Sequence, residues 1–225
     1  MKINLNDIQY YFLTYDNLTR KQHMLTEFEG YNLTEVNPIP NIGKCKSGAS
    51  GFSKILDMAC QKQDRKLPFQ PFIIFEDDVK KYRQFPTSIE IPDDTDILYI
   101  GLSRCGMNRT TARNDVRFTH INEDIIRIYN MLSLHGIIIC SIRGLLLMQK
   151  CMLEGYYKNT IWDIYTAQIQ PYLNVYALKN PLVYQYEKIG GVEEHTKINY
   201  IDTEEKALPP TWINKNNDSI VTSYI

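Results

Sequence analysis

Phe72-Ile73-Ile74-Phe75 is an unbroken apolar run that stops abruptly at Glu76-Asp77-Asp78. Side chains of a strand alternate between two faces, so a strand is apolar at every position only when both faces are covered. A chain built around such a segment needs helices on both sides of a sheet. Residues 8–14, 96–101, 136–140, 175–178 and 182–186 read as further short apolar strands, and residues 117–121 and 125–130 as edge strands or a hairpin. Helices are expected over residues 17–31, 47–60, 142–156 and 162–169. The first would bury Leu18, Met24, Leu25 and Phe28; the second would bury Phe52, Ile55, Leu56 and Ala59. This alternation predicts one α/β domain over residues 1–197, with a mainly parallel central sheet flanked by helices, and a polar tail over residues 198–225. Ligands of such sheets bind beyond the C-terminal ends of the strands.

Charge and cysteine content exclude several function classes. The 225 residues carry 25 Lys and Arg against 26 Asp and Glu, a net charge of −1. That balance argues against a dedicated nucleic-acid binder and against attachment to anionic lipid by charge alone. The five cysteines form no CxxC pair, which argues against a structural zinc site. Their odd number and a polar N-terminus without signal-peptide character predict free thiols in a reducing, cytoplasmic compartment. The longest apolar stretch, residues 134–148, is broken by His135, Ser141 and Arg143 and is too short for a membrane span. Tyrosine is abundant at 16 residues. Tyr10, Tyr11 and Tyr15 fall together near the end of the first strand, where amphipathic rings suit a sugar or base.

Glu76-Asp77-Asp78 carries the most chemistry. Three adjacent carboxylates repel one another and favour a cation. The strand before them delivers them to the ligand-binding end of the sheet, and alternation would turn Glu76 and Asp78 to the same side. Hard carboxylate oxygens suit Mg²⁺ or Mn²⁺, which in turn holds a diphosphate. A solvated turn at a strand end is the other reading. Asp94 and Asp96 form a rival D-x-D pair, but it precedes its strand and reads as a turn at the opposite sheet edge.

Several segments taken in order resemble one family. They are YYFLTYDNLTR, GKCKSGASGFSKIL, a strand ending in EDDV, DILYIG, SLHGIIICSIRG and an Asp in IWDIY. Over residues 8–190 this order resembles the family 25 glycosyltransferases and related GT-A enzymes of lipopolysaccharide and viral glycan synthesis. The family's Ser-His pair on the second helix is replaced here by Ser53-Lys54.

The resemblance implies transfer of a sugar from a nucleotide diphosphate-sugar, a UDP- or GDP-sugar, to a glycan hydroxyl, with Mn²⁺ or Mg²⁺ as cofactor. Asp78 would bind the cation, Glu76 would share it or contact the ribose, and Asp77 would orient the donor sugar. Phe12, Thr14 and Tyr15 would form the nucleotide pocket. Arg20 would reach a phosphate, and Ser47, Gly48, Ser50 and Ser53 would bring donors from a helix start. Asp163 would be the base that takes the acceptor proton in an inverting transfer. His195, after Gly190-Gly191, would add a metal ligand, and His135 would contact a sugar. Two other functions use the same acidic cluster: a different Mg²⁺- or Mn²⁺-dependent enzyme of phosphate esters, and a non-catalytic nucleotide-sugar-binding module.

Overall fold

A computed structural model describes residues 1–189 apart from 16, 65, 104, 109–110 and 114–115. His195 and the expected tail from residue 198 lie outside the described residues. The chain opens with β1 (Lys2–Asn4), β2 (Gln9–Leu13), α1 (Leu18–Glu27), β3 (Leu33–Val36), α2 (Lys44–Lys62) and β4 (Phe72–Glu76). It continues through short strands β5 (Val79–Lys81), β6 (Ser88–Glu90), β7 (Ile97–Tyr99), β8 (Gly106–Asn108), β9 (Thr111–Arg113), β10 (Phe118–His120), β11 (Ile125–Ile128) and β12 (Gly136–Ile139). It closes with α3 (Ile142–Lys158), α4 (Asp163–Ile169), β13 (Val175–Leu178) and β14 (Val183–Gln185).

Eight strands form one sheet in the order β10-β11-β13-β7-β12-β4-β2-β3. The expected mainly parallel sheet is corrected: four of its seven pairings are antiparallel, and β4-β2, β2-β3 and β13-β7 are parallel. The reason lies in the connections. Parallel neighbours need a long crossover, usually a helix. Only α1 and α2 supply one in the first half; from β4 to β12 the described residues contain no helix at all.

Alternation along the central strands divides the core. Tyr11, Leu13, Phe72, Ile74, Ile137 and Ile139 face α2 and α3 in one cluster. Tyr10, Phe12, Ile73, Phe75 and Ile138 face Met24 and Phe28 of the α1 side in another. Both clusters are closed to water, which is why these strands are apolar throughout. Two of the four residues expected to form the buried stripe of α1 point outward instead: Leu18 is 78% exposed and Leu25 is 41% exposed. Tyr10 and Tyr11 are also corrected, since they sit in opposite cores and line no common pocket. Tyr10 donates its hydroxyl to the Leu5 carbonyl at 2.7 Å.

The Asp94–Asp96 turn is structural. Asp96 is buried. It accepts hydrogen bonds from Ser141 Oγ at 2.5 Å and from the Asn174 backbone N–H at 3.0 Å. Ser141 Oγ in turn caps α3 by accepting from Gly144 N at 2.9 Å. All five cysteines are free, and burial pushes the thiols of Cys140 and Cys151 upward. No described helix is long and apolar enough to cross a membrane.

Candidate active site at the ends of β2 and β4

Strands β2 and β4 run parallel and side by side, with Leu13 opposite Glu76. Everything that follows them is therefore delivered to one end of the sheet: Thr14 and Tyr15 from β2, Asp77 and Asp78 from β4. Because β12 runs antiparallel to β4, its start reaches the same end, with His135 just before Gly136.

The acidic cluster is enclosed. Asp77 and Asp78 are 2% and 7% exposed, and Glu76 is half-buried. Asp77 accepts a hydrogen bond from Arg20 Nη1 at 2.6 Å and faces the Tyr15 backbone N–H at 3.4 Å. Arg20 Nη2 lies 3.7 Å from Asp78 Oδ2, and its Nε donates to the Ile189 carbonyl at 2.9 Å. Arg20 is thus engaged by the cluster and by the chain's return, rather than held out as a lone phosphate contact.

Gln185 of β14 closes the other side. Its Nε2 donates to Glu76 Oε2 at 3.0 Å and lies 3.5 Å from Asp78 Oδ1. It is carried there by pairing of β14 with β5, which places Gln185 opposite Val79. The Tyr186 N–H donates to the Asp78 carbonyl at 2.6 Å and holds the same turn.

Asp163 acts on the group from a different element. It opens α4, next to Trp162. Burial pushes its carboxyl up to about 6, opposed by hydrogen bonds from the backbone of Ile164 and of Asp163 itself. Its charge reaches the cluster: Glu76 is held well above the usual carboxylate range by burial and then by Asp78, Asp163 and Asp77, with Arg20 opposing. Asp78 is raised by burial too, against the pull of Arg20. The site holds more negative charge than Arg20 neutralises, so it favours protons or a cation.

The walls are aromatic. Tyr15 and Trp162 both lie over Gly48 near the start of α2: a Cβ there would fall 1.9 Å from Trp162 Cη2 and 2.2 Å from Tyr15 Oη. Only glycine lets both rings close down on the helix. Burial, then Glu76 and Asp77, drives the Tyr15 hydroxyl upward, so it stays protonated. The buried Thr14 Oγ1 has no hydrogen-bond partner among the described residues.

Other expected site residues are placed elsewhere. The Phe12 ring is fully buried in the α1-side core. Ser47 and Ser50 are occupied in fastening the loop before α2: Ser47 Oγ donates to the Ile39 carbonyl at 2.8 Å, and Ser50 Oγ accepts from Ile39 N at 2.8 Å. Ser50 Oγ also donates to the Ser47 carbonyl at 2.7 Å. Ser53 lies one turn further along α2, half-buried. His135 is enclosed, with Nδ1 against Ser133 Oγ and its ring packed on Gly101. Gln185 and the Trp162 ring are the site's unexpected members, and Gly48, expected as a backbone donor, instead makes room for two rings.

The oxygen donors fit a hard divalent cation. Glu76 and Asp78 converge on one point, the Gln185 amide nitrogen. Among the described residues no group of three or more His, Cys, Asp or Glu is spaced to hold a metal. Mg²⁺ is commonly held by one or two carboxylates with substrate phosphates and water filling the rest. No family model matches this chain, and no curated protein matches it.

Proposed function

We propose that the chain is a cytoplasmic, divalent-cation-dependent glycosyltransferase. It would move a sugar from a UDP- or GDP-sugar to a hydroxyl of a glycan acceptor, with inversion. One observation carries this reading. Two converging carboxylates, Glu76 and Asp78, lie within reach of the charge of a third, Asp163, beside the rings of Tyr15 and Trp162 that rest on Gly48.

Each residue then has a task. Glu76 and Asp78 would hold Mn²⁺ or Mg²⁺. When bound, the cation neutralises charge on the departing diphosphate. Tyr15 offers a flat face to the nucleotide. Asp77, gripped by Arg20, fixes the turn that carries Asp78. Asp163 takes the proton of the acceptor hydroxyl as that oxygen attacks the anomeric carbon. A base works best when its pKa lies near the working pH, and about 6 meets that condition.

The test is incubation with a panel of nucleotide-sugars, with Mn²⁺ or with EDTA, reading thermal stability and release of nucleotide diphosphate. One nucleotide-sugar should stabilise the protein only with the metal and be slowly hydrolysed. Asp78→Ala should abolish that stabilisation, and Asp163→Asn should keep it while removing transfer. If no nucleotide-sugar raises the melting temperature, the proposal fails.

A further inference from the structure

We propose that the outer face of α2 and α3 is a docking surface for an anionic lipid membrane. The two helices lie antiparallel on the same face of the sheet. Asp57 of α2 accepts from Gln149 of α3 at 2.7 Å, and Lys46, near the start of α2, sits over the ring of Tyr156, near the end of α3.

The outer side of α3 is apolar where water would call for polar residues. Leu145, Met148 and Met152 turn inward and are buried. Ile142, Leu146, Leu153 and Tyr157 are 48%, 48%, 47% and 77% exposed. On a helix of 3.6 residues per turn these four fall within a stripe about 60° wide, turned away from the sheet. Scattered exposed apolar residues are ordinary, but a contiguous row marks an interaction site.

The charge around the row selects the partner. Helices α2 and α3 carry Lys44, Lys46, Lys54, Lys62, Arg143, Lys150 and Lys158 against Asp57 and Glu154, a net charge of +5. The whole chain carries −1. The near-neutral total therefore conceals a basic pair of helices bearing the apolar row, although Arg143 lies 3.6 Å from Asp96 and Lys158 2.9 Å from Glu154. Two copies of this face would repel each other. An anionic bilayer answers both properties, with headgroup phosphates for the amines and the acyl boundary for the leucines. Lysine stems lie along such a surface while their ammonium groups stay in the headgroup layer.

The face also ends beside the candidate site. The start of α2 and the end of α3 meet beside Trp162, which rests on Gly48 and precedes Asp163. A protein seated on these helices holds its candidate base close to the membrane plane. The inference does not depend on the proposed transfer reaction.

The test is co-sedimentation of the full chain with vesicles, either of phosphatidylcholine alone or with about one third phosphatidylglycerol. Binding is expected to the anionic vesicles, to be weakened by high salt, and to be at least about tenfold weaker on phosphatidylcholine alone. Leu146→Glu with Leu153→Glu should weaken binding at least about tenfold, and so should Lys44→Glu with Lys54→Glu. Tyr157→Ser, at the most exposed position of the row, provides a second apolar variant if the leucine pair fails to fold. Equal binding to both vesicle types overturns the proposal, as does no binding to either. So does unchanged binding by folded variants. A dimer in solution that Leu146→Glu dissociates, without vesicle binding, assigns the face to a second copy and overturns it too.

Discussion

Arg20 Nη1 donates to Asp77 Oδ1 at 2.6 Å, tying the first turn of α1 to the residue that follows β4. The Asp77 and Asp78 side chains are only 3% and 9% exposed, and Arg20 is the cation that faces both. Removing one partner of a buried pair strands the other without water or counter-charge. Arg20→Ala should therefore cost about 3 kcal/mol in urea unfolding at pH 7. The loss should shrink at acid pH, where the carboxylates are protonated, and Arg20→Lys should recover part of it. A loss below about 0.5 kcal/mol would show the pair to be no stronger than a surface bridge.

Gly48→Ala should unseat the aromatic wall. The added methyl would lie 1.9 Å from Trp162 Cη2, so the ring must move. Overpacking of this kind costs about 1–3 kcal/mol. Trp162 should become more exposed and its fluorescence shift to the red. The measurement is clean in a Trp212→Phe background, because the chain has two tryptophans. An unshifted spectrum would mean that the rings do not rest on Gly48.

Asp163 should make stability fall as pH rises. Its folded pKa of about 6 lies above the ordinary value of 3.8. A raised carboxyl favours the folded state fully below the ordinary value, and that contribution disappears as pH climbs through about 6. Asp163→Asn should match the wild type near pH 3.5. It should become more stable by about 1–2 kcal/mol at pH 8, allowing for the partial exposure of the group. A stability gap that stays constant from pH 3.5 to 8 contradicts the buried placement.

Ser141→Ala separates structural from functional carboxylates. Ser141 Oγ caps α3 at Gly144 N and donates to buried Asp96, at the opposite sheet end from the acidic cluster. The substitution should cost about 1–2 kcal/mol in chemical unfolding. Nucleotide-sugar stabilisation, read as the thermal shift per ligand concentration, should be unchanged.

Uninterrupted apolar runs made the central strands legible: Phe72–Glu76, Gly136–Ile139 and Val175–Leu178 lie where the pattern places them. Leu33–Val36 escaped because it is a half-buried edge strand carrying Thr34 and Glu35. Strand direction was not legible, since it depends on whether connections contain helices. Within the candidate site, Asp77, Asp78 and Asp163 declare themselves by following a buried strand or opening a short helix. Gln185 does not. It stands 109 residues from Glu76, and a lone glutamine has no spacing or charge to single it out. Leu18 misleads because a leucine in the first turn of α1 fits the apolar spacing while facing water.

Among the described residues, the antiparallel β12 joins the two halves of the main sheet, with β4, β2 and β3 on one side and β7, β13, β11 and β10 on the other. In that sheet only β2-β3 and β10-β11 pair strands that are consecutive in the chain. Most of the sheet therefore assembles from distant segments, which slows folding. During synthesis, β4 and β7 emerge long before the strand that separates them. A nascent chain ending short of residue 136 presents two apolar strand edges with nothing between them, the point at which this fold is most open to pairing with a neighbour.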